Sequence, residues 1–504
     1  MSFATIYTRA SIGIEAPTVI VEVHISHGLP GFTLVGLAEI AVKEARDRVR
    51  SALLNSGFTF PAKRITVNLA PADLPKEGGR YDLAIALGIL AASAQIPLAN
   101  LSRYEFLGEL GLSGALRPVT GIIPAALAAH AAKRQLITAV NHSEEVALVT
   151  QQETLVASDL LALCAYLQGK QPLPAATFVD APTVPFPLDL QEVIGQQHAK
   201  RALEVAAAGT HHLLLLGPPG TGKTLLANRL PSILPPMIPE AVLETAAITC
   251  LVYGQSKLAS WQFPPFRAPH HTASVAALVG GGRLPTPGEI ALAHNGVLFL
   301  DELPEFERRA LDALRQSLES GEITIARANY KVTFPARFQL IAAMNPSLHK
   351  TASTTGLLAD PRPLLRYLSR LSAPLLDRFD LSLEVPLLPQ GTLSQGGDRG
   401  ESSQVIQDRV IKARARQMER RGKSNVWLSS REVEHDCRLT TTDAHFLETA
   451  LVKLGLSARA WHKLLKVSRT IADLEDTTSI DRTHLMEALS YRAMDRLLRC
   501  LNFR

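Results

Sequence analysis

Aromatic side chains are scarce in this chain of 504 residues. Phe, Tyr and Trp together make up 5% of it, too few for stacking to be its main binding device. Cysteine is scarcer still. The four cysteines, Cys164, Cys250, Cys437 and Cys500, lie far apart, which excludes a metal-ligand spacing or a redox pair and reads as reduced thiols in a cytosolic protein. No apolar run approaches the roughly 18 residues that span a bilayer. The opening MSFATIYTRAS lacks the charged-then-apolar pattern of a signal peptide, so a cytoplasmic location and no membrane partner are expected.

A net excess of either charge is nearly lacking as well. The formal net charge is +5, and all of it falls in residues 401–504, with 19 basic against 14 acidic side chains. Such an excess suits either a polyanion contact or a solvated helical face. At this length more than one core is expected, since single cores seldom grow beyond ~250–300 residues. Two breaks divide the chain. The stretch from Gln168 to Leu190 holds five prolines and no apolar period, and Pro386–Ser403 combines Pro, Gly and Ser, so both read as connections. The expected organisation is a first domain over 1–167, a linker over 168–190, a central domain over 191–390 and a C-terminal helical domain over 391–504. In the centre, the apolar runs HLLLL, GVLFLDE and FQLIAAMN alternate with helical patterns, the mark of an α/β parallel sheet covered by helices. The last hundred residues show only helical periodicity.

The run HHLLLLGPPGTGKTLLANRL contains a complete phosphate-binding loop, Gly217, Pro218, Pro219, Gly220, Thr221, Gly222, Lys223 and Thr224, between a strand and a helix. Glycines let backbone N–H groups wrap phosphates, Lys223 reaches the β- and γ-phosphates, and the Thr224 hydroxyl ligates Mg²⁺. ATP and Mg²⁺ are therefore the expected ligands. About eighty residues on, GVLFLDE ends an apolar strand in Asp301 and Glu302. Asp301 suits the Mg²⁺ shell, and Glu302 suits the base that orients and deprotonates water.

A third apolar run, LIAAMNP, ends in Asn345, where ring-forming ATPases of the AAA+ class keep a polar residue that senses the γ-phosphate. Together with GEIALAHNGVLFLDELPEF, SGEITIARANYKVTFPARFQLIAAMNP, APLLDRFDLSLEVP and GLSARAWHKLLKVSRTIADL, it resembles the magnesium-chelatase-like AAA+ proteins of the YifB/ComM competence family over nearly the whole chain. The resemblance implies an arginine finger at Arg378, given in trans to a neighbouring subunit, and a lid arginine, sensor 2, at Arg459. It therefore implies a ring, usually a hexamer. Many relatives continue NPCPCG after the asparagine; NPSLHKTASTTG stands here, and no zinc knuckle is expected.

The first domain resembles a Lon-type protease. In PKEGGR, the position of the catalytic serine holds Arg80, and in VTGIIPAALAAH the position of the catalytic lysine falls on Ile123. Without nucleophile or base, the domain is expected to be an inert scaffold, and the chain not a protease. The expected fold is thus α/β overall: a Lon-protease-like α+β domain, a central AAA+ parallel-sheet domain, and a C-terminal helical lid.

Between Ser320 and Ala336 two β-runs surround a polar turn, a hairpin that in related motors points into the pore. Arg327, Asn329, Tyr330 and Lys331 are the candidate contacts to a phosphate backbone; a charged, solvated hairpin tip fits the same residues. His270 and His271, adjacent and without a third ligand, read as loop or packing residues rather than metal ligands. The resemblance implies a DNA helicase driving branch migration of recombination intermediates in natural transformation. Single-stranded and branched DNA and recombination proteins are then its partners. A protein-remodelling or chelatase-like motor subunit is the alternative.

Overall fold

The structure is a computed structural model that describes residues 3–36, 44–150, 153–178, 186–253, 263–282, 285–327, 330–346, 362–392 and 399–501. The N-terminal part carries strands β1 (Phe3–Arg9), β2 (Thr18–Ser26), β3 (Gly31–Val35), β4 (Arg64–Ala70) and β5 (Tyr104–Leu107). After a short hairpin of β6 (Glu109–Leu110) and β7 (Leu116–Arg117) come β8 (Gln135–Ala139) and β9 (Leu155–Ala157). Seven of these form one mixed sheet in the order β3-β4-β2-β1-β5-β8-β9. β1, β2 and β4 run antiparallel, while β5, β8 and β9 extend the sheet in parallel. Burial alternates residue by residue along β2 and β4, as it must when one sheet face meets a core and the other meets solvent. The helix Asp82–Ala92 fills that core and is buried at every residue, which its all-round apolar sequence requires. The proline-rich stretch begins as an extended segment on the outer edge of this sheet, where Ala176 N–H donates to Thr154 O and Val156 N–H to Pro174 O.

The central part carries β10 (Leu213–Leu216), β11 (Phe266–Arg267), the paired β12 (Gly280–Gly281) and β13 (Thr286–Pro287), and β14 (Val297–Leu300). The hairpin β15 (Glu322–Arg327) and β16 (Tyr330–Pro335), β17 (Gln339–Met344) and β18 (Leu381–Glu384) complete it. Five strands make an all-parallel sheet in the order β11-β14-β17-β10-β18. Leu213–Leu216 and Gln339–Met344 are buried at every position, the continuous apolar run expected of parallel strands covered on both faces.

The C-terminal part is helical throughout its described residues, with helices Ser403–Arg421, Ser430–Asp436, Thr441–Leu454, Ala458–Leu474, Arg482–Ser490 and Ala493–Cys500. It shares one hydrophobic core with helix Gln197–Gly209 and the inner face of β10, β17 and β18. Arg414 locks the two parts together. Its guanidinium donates to Ala207 O, Ala208 O and Thr210 Oγ1 at 2.6–3.0 Å, meeting the free carbonyls at the end of helix Gln197–Gly209. Other arginines of this part are held in ion pairs, all but one of them within it. Arg409 pairs with Glu204 and Glu401, Arg420 and Arg469 with Asp473, and Arg421 with Asp436.

The N-terminal part docks on the central one through helix Ile122–Ala131, which packs against helix Pro239–Thr249 in a common apolar cluster. Gly121 opens the contact, donating its N–H to Cys250 O at 2.7 Å.

Candidate nucleotide site

Parallel strands present their C-terminal ends on one edge, where open α/β sheets bind ligands. β10, β17 and β14 end there side by side, with Leu216 opposite Met344 and Leu300 opposite Ala342. The residues that follow, Gly217, Asn345 and Asp301, are thereby brought to one edge. Gly217 N–H donates to Met344 O at 3.3 Å, closing the phosphate loop onto the neighbouring strand. Gly217 is also pressed against β18, since a Cβ there would meet Val385 O at 2.4 Å. Gly220 and Gly222 take φ values of 79° and 89°, which the loop needs and only glycine adopts freely. A Cβ at Gly220 would meet nothing within 4 Å, so Gly220 is required for its backbone angle rather than for tight packing.

Lys223 begins the helix Lys223–Ala227 and points back into the loop, donating to Gly217 O at 2.9 Å and Pro218 O at 2.7 Å. Burial lowers its pKa, and the nearby charges of Asp301 and Glu302 act in the opposite sense. Thr224 Oγ1 donates to Asp301 Oδ2 at 2.6 Å. A hydroxyl and a carboxylate set this close are a hard-oxygen pair that fits Mg²⁺ and suits no soft metal. Among the described residues no group of three or more His, Cys, Asp or Glu stands together as a metal site.

Glu302 follows with φ 54° and ψ 48°, a left-handed backbone uncommon for a residue with a side chain and typical of functional turns. Its Oε2 lies 3.3 Å from Nδ1 of His271. Sequence reasoning missed that contact, because the histidine lies 31 positions upstream of the acid in a loop without a recognised motif. Asn345 donates its backbone N–H to Tyr367 OH at 3.3 Å, and its Oδ1 is buried without a hydrogen-bond partner. Tyr367, whose hydroxyl is pushed up in pKa by burial, was likewise not foreseen.

The two arginines expected to meet the γ-phosphate lie together elsewhere. Arg378 pairs with Glu319 at the end of helix Arg308–Ser320, and its neighbour Asp377 lies 3.9 Å from Arg459, whose side chain is 79% exposed. Lys463 ties the same segment to the lid through Asp377 O and Phe379 O. Both arginines thus belong to one surface, joined by Asp377.

The hairpin forms as read, with Arg327 opposite Tyr330. Lys331 is exposed. Asn329 lies outside the described residues, as do the side chains of Arg327 and Tyr330. In the N-terminal part, Ile123 is fully buried and Arg80 is 6% exposed. Arg80 borders a cavity of about 430 Å³ that Glu77, Glu109, Leu251 and Pro287 also line; no serine–lysine pair stands at these two positions. Among the described residues no helix is long and apolar enough to cross a membrane.

Comparison with known proteins agrees with this architecture. Residues 189–393 match the family described as magnesium chelatase, subunit ChlI, and residues 400–492 match its C-terminal part. Residues 21–142 match a further family, described as subunit ChlI of Mg-chelatase. The chain is 60% identical to competence protein ComM of Haemophilus influenzae over the full length of both. It is 57% identical to the protein YifB of Salmonella typhimurium, covering 99% of this chain and 98% of that one. The magnesium-chelatase 38 kDa subunit of Cereibacter sphaeroides is 25% identical over 62% of this chain and 93% of its own.

Proposed function

The chain belongs to the magnesium-chelatase-like ComM/YifB family of AAA+ proteins, and from that premise we propose that it is an ATP-driven DNA motor. In this reading it promotes branch migration of recombination intermediates while incoming DNA is integrated. The observation that carries the reading is full-length identity to a competence protein, far above that to the chelatase subunit, in a chain whose phosphate loop, acidic pair and Asn345 meet at one sheet edge.

The chemistry follows from the residues. Backbone N–H groups of Gly217–Gly222 and the Lys223 ammonium bind the phosphates. Thr224 and Asp301 would hold Mg²⁺, which would supply positive charge against the phosphates. Glu302 accepts the proton of the attacking water, and Asn345 orients that water or the γ-phosphate. Arg378, released from Glu319, meets the charge that develops on the phosphoryl group of a neighbouring subunit, with Arg459 beside it. Two catalytic arginines on a surface shared with Asp377 suit a contact between subunits, and the working form is a homo-hexamer. Lys331 and its hairpin grip the DNA backbone, and recombination proteins are the partners at the branch point.

The test is ATP hydrolysis by the purified chain with and without single-stranded DNA and a four-way junction, with Lys223→Ala as the blank. DNA is expected to raise turnover and the junction to be branch-migrated. Hydrolysis that ignores both DNAs would replace this reading with that of a motor acting on a protein client.

A further inference from the structure

Arginines elsewhere in this chain hold carboxylates side-on. Arg9 donates from Nε and Nη2 to the two oxygens of Glu105 at 2.6 and 2.7 Å, and Arg267 donates from the same two nitrogens to Glu289 at 2.6 and 2.7 Å. That planar fork matches a carboxylate bidentately. Arg80 carries the same fork unpaired. Its side chain is buried, and Nε and Nη2 find no hydrogen-bond partner among the described residues. Burial lowers its pKa, and the titratable groups that act on it are Tyr81 and Cys250. Burial pushes both of these up to about 12, so at neutral pH neither carries the charge that would offset a guanidinium.

The fork borders the cavity of about 430 Å³ whose wall comes from both the N-terminal and the central part, a size that suits a small molecule. Gly78, Thr120 and Thr286 in that wall are exposed, so a solute can enter. The cavity has two poles. Glu109 also lines it, with its carboxylate against Gly79, where a Cβ would meet Oε2 at 2.7 Å. Neither Glu109 nor Glu77, the second acid of the wall, is among the charges that act on Arg80, so cation and acids stand apart rather than cancel. Glu109 has a loose contact to the exposed Arg117 at 3.6 Å, and pairs of that kind are worth little. Much of the remaining wall is apolar, with Val119, Leu251, Pro285 and Pro287.

We propose that this cavity binds a free α-amino acid with an apolar side chain, its carboxylate in the Arg80 fork, its ammonium against Glu109 and its side chain on Leu251 and the prolines. A simple anion matches less well, because two acids share the wall, and a simple cation leaves the guanidinium unmatched. The ligand touches both parts and so holds the N-terminal part on the motor. The site does not depend on the reading of the chain as a DNA motor.

The experiment is calorimetric titration of the full-length protein, without nucleotide, with L-leucine, L-methionine and L-phenylalanine, each alongside its decarboxylated and its deaminated analogue. At least one of the amino acids should bind. Loss of the paired, charge-assisted hydrogen bonds weakens binding roughly 10- to 100-fold, so the decarboxylated analogue on wild type and the amino acid on Arg80→Met should both fall by about that factor. Glu109→Gln should weaken the amino acid and leave its deaminated analogue unchanged. Bound ligand should also slow hydrogen exchange in helices Ile122–Ala131 and Pro239–Thr249, which binding in the phosphate loop would not do. The analogue series is read on wild type, so it decides the matter even where Arg80→Met does not fold. Three results overturn the proposal: no binding of any of the three amino acids up to roughly 10 mM, a decarboxylated analogue that binds as tightly as its parent, or inorganic phosphate that binds where the amino acids do not.

Discussion

His212 stands at the foot of β10, buried, and its Nδ1 accepts the backbone N–H of Leu340 on β17 at 3.0 Å. An imidazole used this way cannot carry a proton on Nδ1. Burial pushes its pKa down to about 4; Asp380 acts against that shift, while Lys463, His211 and Arg378 reinforce it. In the unfolded chain the same group titrates near its usual value of about 6.5. The sign follows. Above pH 6.5 both states are neutral and the residue contributes nothing; as pH falls toward 4 only the unfolded state takes up the proton, and stability is lost across that window. The gap is worth roughly 3 kcal/mol, most of it gone by pH 4.5. Asp380 does not confuse the measurement. Burial alone would raise its pKa, but the His211 side chain and the charges around it hold it well below the usual carboxylate range, so its own contribution is lost only in stronger acid. The perturbation is His212→Asn, whose amide oxygen accepts the Leu340 N–H but does not titrate. Hydrogen exchange of peptides spanning 339–344, corrected for intrinsic rate, is measured at pH 6.5 and 4.5. Wild type should lose protection on the order of 100-fold more than the variant. Because β10 and β17 lead directly into Gly217 and Asn345, nucleotide affinity should fall over the same window. Equal loss of protection in both proteins would refute the argument.

Arg378→Ala should bind ATP normally and hydrolyse it roughly 10³-fold more slowly or worse. Mixing it with Lys223→Ala subunits, which keep the finger, should restore turnover if the arginine acts on a neighbour, and no restoration would place it in cis. Gly121→Val puts a side chain at φ 70°, where even a Cβ would lie 2.9 Å from Ser11 Oγ and 3.1 Å from Leu251 Cδ2. It should weaken docking of the N-terminal part by about 1–3 kcal/mol, read as faster exchange in helices Ile122–Ala131 and Pro239–Thr249; unchanged exchange would mean that the contact is not limiting.

How far the site could be read from the chain depended on how local each part is. The phosphate loop, the acids after β14 and Asn345 after β17 each end an apolar run, so a strand period and one polar residue sufficed to place them. The hairpin was legible for the same reason, since β15 and β16 are joined directly. His271 was not, because a histidine pair without a third ligand has no chemistry until the fold brings Glu302 to it. Nor was the order of the N-terminal sheet, where β5 joins β1 in parallel across nearly one hundred residues and alternation says only that each strand has two faces. The basic surplus at the C-terminus does not by itself say where charge faces solvent, because Arg409, Arg420, Arg421 and Arg469 are paired inside or beside the helical core.

The same distinction bears on the two positions where a Lon-type dyad would stand. Residue identity alone says that arginine and isoleucine lack a nucleophile and a base. Packing adds a second reason. Ile123 lies in the helix that docks on the central part, and Arg80, beside Cys250 and Leu251, is buried with Nε and Nη2 unmatched by any hydrogen bond. Burial lowers the Arg80 pKa, and an unmatched buried guanidinium is costly. Such a residue is tolerated where the surrounding contacts gain more than it loses, and those contacts here are the ones that join the two parts. Ile123 is closed off by the docked helix, whereas Arg80 still borders the cavity. The helix that carries Ile123 fixes one part against the other, and the cavity beside Arg80 reaches Pro285–Pro287, which precede β14.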